Sequence, residues 1–138
     1  MKILVSACLL GENCKYNGGN NYNQKVIDFV KGHDVIPVCP EVLGGLPIPR
    51  SSCEIVNGIV MAKDKTSYDK QYRCGANKAL EIAHKEKPDL IILQSRSPSC
   101  GVKQIYDGTF SQNKIIGHGI FADLAIKEGY KVIDVEDL

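Results

Sequence analysis

Six cysteines in 138 residues offer this chain its most distinctive chemistry, and three of them share a setting. Cys8 follows the apolar run from Lys2 to Ala7, and Cys39 follows Val35-Ile36-Pro37-Val38. Cys100 follows Leu90-Ile91-Ile92-Leu93 through Ser95-Arg96-Ser97-Pro98-Ser99. Thiolates ligate soft metals, attack electrophiles and carry sulfur. Three of them suit Zn²⁺ or an iron–sulfur cluster, and a [4Fe-4S] cluster held by three protein thiols leaves one iron open as a Lewis acid for a substrate sulfur or oxygen. The ordinary alternative is a set of buried structural thiols. That account suits Cys53, ahead of a hairpin, and Cys74, near the start of a helix, better than the three that end apolar runs. Cys14 lies close enough to Cys8 along the chain to serve as a fourth ligand or a sulfur acceptor.

Cys8, Cys39 and Cys100 are 31 and 61 residues apart, so no compact Cys-x-x-Cys unit joins them and the fold must do so. The runs 2–7, 35–38, 90–93 and 130–135 read as strands, the first and third wholly apolar in the manner of a parallel sheet buried on both faces. Between them, Asn23 is placed to cap a helix over Gln24 to Lys31, with Val26, Ile27 and Val30 facing inward and Gly32 beyond its end. Thr66 and Asp69 have capping-box spacing ahead of a long helix striped by Tyr72, Ala76, Ala79, Leu80 and Ala83 and stopped before Pro88. Ile120, Phe121, Leu124 and Ala125 mark a last helix, closed by Gly129. Glu54 to Lys63 alternates around Asn57-Gly58, a strong hairpin signal. The Gly- and Pro-rich stretch from Cys39 to Ser52 and the stretch from Ser95 to Asn113 read as loops. The expected fold is α/β, an open and mostly parallel Rossmann-like sheet with helices on both faces and a small β-hairpin insertion. All strands of such a sheet end on one edge, where ligands bind. Neighbouring strands lie about 4.8 Å apart, so thiols leaving adjacent strand ends can share a polynuclear cluster.

Composition sets the class of partner. Hydrophobic residues make up 43% and charged residues 24%, with a net charge of +1, so no basic stripe supports binding to a long nucleic-acid backbone. A small substrate fits better. The length suits one domain spanning 1–138, without repeat or linker, and no run is long enough to cross a membrane. Ser6-Ala7-Cys8 has the look of a lipobox, yet the few residues ahead of it cannot supply an export signal. A cytoplasmic location follows as the expectation, and there cysteines are ligands, catalytic groups or buried thiols rather than disulfides.

Four segments together resemble one family. They are Ser6-Ala7-Cys8-Leu9-Leu10-Gly11, Pro37-Val38-Cys39-Pro40-Glu41, Gly45-Leu46-Pro47-Ile48-Pro49-Arg50 and Ser97-Pro98-Ser99-Cys100-Gly101. In order, and across nearly the whole chain, they are similar to the TudS-like thiouracil desulfurase family in a short, single-domain form. The resemblance implies a [4Fe-4S] cluster held by Cys8, Cys39 and Cys100, and removal of sulfur from a small thiolated pyrimidine to give the oxo form and sulfide. It implies Glu41 as the base that activates water and Ser97 as a residue that positions water or relays a proton. Arg50, with its forked donors, is the candidate to hold a substrate carbonyl or phosphate. Ser99 and Gly101 complete the candidate substrate-binding set by shaping the loop around Cys100, the glycine permitting close backbone approach. The chain departs from the family at Asn17, where relatives often carry Asp, and it lacks the second domain that some members have.

Two other functions remain open at this stage. One is a sulfurtransferase carrying a persulfide on Cys14 or Cys100 without iron, and the other is a non-catalytic module whose metal ties three strands together. Gly117-His118-Gly119-Ile120-Phe121-Ala122 matches the G-x-G-x-x-A dinucleotide pattern, but it precedes the last helix instead of the first, with too little chain beyond it for a ribose-binding acid. Its helix N-terminus is the part that could meet a substrate anion. His118 lacks a Cys or carboxylate partner and reads as structural, while His33 and His84 read as surface residues.

Overall fold

Strand β1 (Lys2–Ser6) runs through the centre of the molecule, with every residue after Lys2 buried. In the computed structural model, which describes residues 1–138, it pairs in parallel with β2 (Asp34–Val38) on one side and β5 (Leu90–Leu93) on the other. Strand β8 (Val132–Asp134) pairs in parallel with β5 and completes the order β2-β1-β5-β8.

Alternation along these strands divides the core between two faces. Leu4, Ile91 and Leu93 pack against Ala76, Ala79 and Ala83 of α3 (Asp69–Glu86) and Phe121, Ala122 and Ala125 of α4 (Ile120–Lys127). Ile3, Val5, Leu90 and Ile92 pack against Val26 and Val30 of α1 (Gln24–Val30). The sheet is therefore parallel and covered on both sides, as its apolar runs require. No helix is long and apolar enough to cross a membrane.

The local signals act largely as their chemistry demands. The Asn23 side chain accepts the Val26 N–H at 3.2 Å and caps α1. Asn57 and Gly58, both at positive φ, join β3 (Cys53–Val56) to β4 (Ile59–Ala62) as an antiparallel hairpin.

Four expectations need correction. The Thr66/Asp69 capping box does not form: Tyr68 is the N-cap of α3, and the Asp69 carboxylate instead accepts the Val60 N–H at 3.0 Å and pairs with Arg73 at 2.7 Å. The stretch from Cys39 to Ser52 is not wholly irregular, because Pro40–Leu43 forms a one-turn helix, α2, with proline at its start and Glu41 in its first turn. The stretch from Ser95 to Asn113 contains β6 (Gln104–Tyr106), which pairs antiparallel with β7 (Lys114–Ile116) as a second hairpin. The first and last strands of the chain are shorter than expected, since β1 gives way at Ala7 to a 3₁₀ turn (Ala7–Leu10), and β8 begins only at Val132 and gives way at Val135 to a second such turn.

Candidate active site

Three adjacent strands deliver the three thiols to one edge. Cys8 leaves β1 inside the 3₁₀ turn, and Gly11 closes that turn at φ +96° with its N–H on the Cys8 carbonyl at 3.2 Å. Cys39 follows β2 directly and is the N-cap of α2. Cys100 lies past β5 at the end of a loop whose conformation is held from several sides. Ser97 Oγ accepts the N–H groups of Ser99 (3.1 Å) and Cys100 (3.0 Å). Ser95 donates to the buried Asp134 carboxylate, and Arg96, at φ +61°, forks onto Glu136 at 3.0 Å to both oxygens.

The pattern Gly117 to Ala122 contributes to this loop. The N–H groups of Ile120, Phe121 and Ala122 are spent on the carbonyls of Pro98 and Ser99 at 2.8–3.1 Å. A Cβ on Gly119 would lie 2.5 Å from the Ser99 carbonyl carbon, so the glycine is what lets α4 dock there. The N-terminus of α4 thus holds the Cys100 loop in place and is not available to a substrate anion. His118 contacts the Val102 carbonyl through Nδ1, in keeping with a structural role.

The thiols and the carboxylates of Glu41 and Glu54 face a single cavity of about 530 Å³. Cys8, Cys14, Cys39, Cys53 and Cys100 line it. Glu41 reaches it from α2 and is held from three directions. Its Oε1 accepts Arg50 Nε at 3.2 Å, Arg50 Nη2 at 3.1 Å and the Tyr72 hydroxyl at 3.0 Å. Its Oε2 accepts Ser99 Oγ at 2.7 Å and Ser97 Oγ at 3.3 Å. Arg50 is itself buried, with a side chain only 5% exposed, and also donates to the carbonyls of Cys14 (2.8 Å) and Pro47 (3.3 Å). Four of its five N–H groups are committed, which leaves one on Nη1 for a ligand.

Hydrogen bonds among the thiols set their protonation. Cys14 sits beside both Cys8 and Cys39, and its single S–H, given to one or the other, lowers both and holds Cys39 at about 7. The same donation, with burial behind it, pushes the Cys14 thiol far above the usual range. Asn21 Nδ2 adds a donor 3.5 Å from Cys8 Sγ. Burial pushes Cys100 up to about 12, opposed by the Ser6 hydroxyl and more weakly by the Ser99 hydroxyl, which lies 3.6 Å away and gives its shorter bond to Glu41.

Of the residues singled out in the sequence, Cys8, Cys39, Cys100, Glu41, Ser97 and Arg50 all meet at this cavity. Ser99 and Gly101 do not line it. Ser99 is completely buried behind Cys100 and acts on Glu41, while a Cβ on Gly101 would lie 2.7 Å from the Gln104 carbonyl, so that glycine serves the turn. Cys74 is exposed on α3. Tyr72, Asn21 and Ser6 were missed as site residues. Tyr72 reads as core by its spacing, and the available signal was that a buried tyrosine hydroxyl needs a partner.

The donor set can be tested against a metal group. No three Cys, His, Asp or Glu side chains are arranged as the ligand set of a single metal ion. Three thiols spread around one cavity from adjacent strand ends do fit a polynuclear iron–sulfur group, which takes its ligands from separate corners.

The fold and site define an α/β protein with a thiol-lined cleft beyond the carboxyl ends of a parallel sheet. The sequence profile of the 2-thiouracil desulfurase family matches residues 3–137, and this chain belongs to that family. It is 37% identical over 146 aligned positions to the uncharacterised protein YbbK of Bacillus subtilis (strain 168), covering 99% of this chain and 97% of YbbK. Its structure is similar to that of the [4Fe-4S]-dependent thiouracil desulfidase TudS, with a TM-score of 0.91 and 32% identity over 99% of this chain and 92% of that one.

Proposed function

We propose that this chain holds a [4Fe-4S] cluster on Cys8, Cys39 and Cys100 and hydrolyses the thiocarbonyl of a small thiolated pyrimidine, giving the oxo form and sulfide. The observation that carries the reading is that three strand-end thiols and the Glu41 carboxylate face one cavity. When bound, such a cluster supplies an iron without a protein ligand, a Lewis acid for the sulfur that leaves.

The protein's own groups handle the water and its protons. Replacing C=S by C=O with water and releasing hydrogen sulfide needs no electrons, only a proton acceptor beside the attacking water and a donor for the sulfur. Glu41 Oε2 is that acceptor. Oε1 takes three donors from Arg50 and Tyr72, whereas Oε2 takes one short bond, from Ser99 at 2.7 Å. The second lone pair of Oε2 is open to water when the Ser97 proton turns to Ser99 Oγ. Ser97 Oγ already accepts two backbone N–H groups, so both its lone pairs are occupied and it acts as a donor, to Ser99 Oγ at 2.9 Å, to Glu41 or to an oxygen in the cavity. The remaining Nη1 hydrogen of Arg50 is positioned for a ring carbonyl. Ser99 and Gly101 support this machinery from behind.

A persulfide-carrying sulfurtransferase fits less well. Cys14, the nearest extra thiol, is buried and held as an S–H donor, and the thiolate is the nucleophilic form.

The test is to purify the protein without oxygen, reconstitute it with iron and sulfide, and count iron per chain. About four irons are expected in wild type. They should be lost in Cys8→Ala, Cys39→Ala and Cys100→Ala and kept in Cys53→Ala and Cys74→Ala. Loaded protein is then offered 2-thiouracil and 4-thiouracil, with sulfide release as the readout. Iron that survives removal of any of the three thiols, or loaded protein that releases no sulfide, overturns the reading.

A further inference from the structure

Glu41 stands on a helix of only four residues, too short to hold a side chain by its own structure. Its seat comes from α3. A Cβ on Gly75 would lie 1.7 Å from the Pro40 carbonyl oxygen, and one on Gly44 would lie 2.0 Å from the Gln71 carbonyl oxygen. The two helices therefore touch backbone to backbone. Tyr72 is three residues before Gly75, on the same face of α3, so the close approach that seats α2 also brings the Tyr72 hydroxyl to Glu41 Oε1 at 3.0 Å.

We propose that Tyr72 is a positioning residue for the reaction, acting through Glu41. The proposal rests on the reading that Glu41 Oε2 takes the proton from water. Arg50 and Tyr72 grip Oε1 from different frames: Arg50 belongs to the loop that also holds the Cys14 carbonyl, and Tyr72 belongs to the long helix. With Arg50 alone the carboxylate can swing about the guanidinium. With Tyr72 as well it is fixed, and Oε2 stays turned toward Ser97, Ser99 and the cavity. The ring of Tyr72 borders the cavity, but its one hydroxyl proton is committed to Glu41.

Tyr72→Phe tests this because it removes only the hydroxyl and keeps the ring that packs against Leu46 and Val60. Displacing a catalytic group by a fraction of an ångström costs rate more than affinity, so kcat for the thiopyrimidine should fall about tenfold or more. KM should stay within about twofold, and iron per chain and the melting midpoint should match wild type. A kcat within twofold of wild type overturns the proposal. So does a loss of activity that tracks lost iron, a lowered melting midpoint or a raised KM, since Tyr72 would then act as a structural or substrate-binding group. Loaded wild type that turns over no thiopyrimidine sinks the desulfurase reading and this proposal with it. Turnover by wild type and by Tyr72→Phe alike sinks this proposal alone.

Discussion

The thiols are not equivalent, and Cys14 is the reason. Its single S–H serves either Cys8 or Cys39, so Cys39 is a thiolate at lower pH than an ordinary cysteine. Iodoacetamide reacts with the thiolate, and labelling of Cys39 in iron-free protein should therefore rise with pH through a midpoint near 7. In Cys14→Ala the donor is gone, and the midpoint should move up toward the ordinary value of about 8.5. Peptide-resolved mass spectrometry across pH 5–10 reads both, and a wild-type midpoint already at the ordinary value would refute the assigned hydrogen bond. At this scale the sequence was partly legible. Cys8, Cys39 and Cys100 stood out because each ends an apolar run, whereas Cys14 lies within the Gly- and Asn-rich stretch from Leu9 to Asn23, whose path no spacing reveals. Tyr72 was hidden differently, by fitting an apolar stripe so well that its hydroxyl went unexamined.

Elements with a full period were legible from the chain, and those without one were not. Strands β1, β2 and β5 and helices α1, α3 and α4 each span enough residues for alternation or a helical stripe to show. The four residues of α2 and the three-residue strands β6 and β7 do not, and β6 and β7 are joined by a long polar loop instead of a two-residue turn. The unreadable α2 is the one that carries Glu41, and its place depends on a tertiary fact, the glycine contact with α3. Gly75→Ala should drive α2 off α3, costing about 2–3 kcal/mol in denaturant unfolding and depressing iron uptake, because Cys39 caps the displaced helix. Gly58→Ala has open space around its new methyl and meets only the strain of φ +80°, so it should cost about 1 kcal/mol and leave iron uptake unchanged. Equal effects from the two would show that the α2–α3 approach does not seat the site.

Over the whole molecule, the thiols are positioned by a sheet whose hydrogen bonds and two apolar faces are made between the chain's own residues, none of them a proposed ligand except Cys100 in one face and Cys8 at the margin of the other. This differs from small metal-folded domains, where the unloaded chain is unfolded. Stripping iron with a chelator should abolish iron-dependent absorbance while far-UV circular dichroism stays as it was, and iron and sulfide added later should restore the full complement. Loss of helical signal on chelation would contradict a site built by the sheet. The parallel sheet itself was the most legible feature of the chain, since its apolar runs permit no other kind of strand.

The central place of β1 has a further consequence for the order of events during synthesis. The first strand made needs partners on both sides, and one of them, β5, begins at Leu90. At about 5–20 residues per second, the ribosome takes several seconds to supply it. Until then Ile3, Leu4 and Val5 have no complete core to enter, and Cys8 waits beside them as a bare thiol. The nascent chain therefore passes through an interval in which the first proposed ligands exist but the sheet edge that would gather them does not, so a cluster on all three thiols has to wait until β5 and Cys100 have been made.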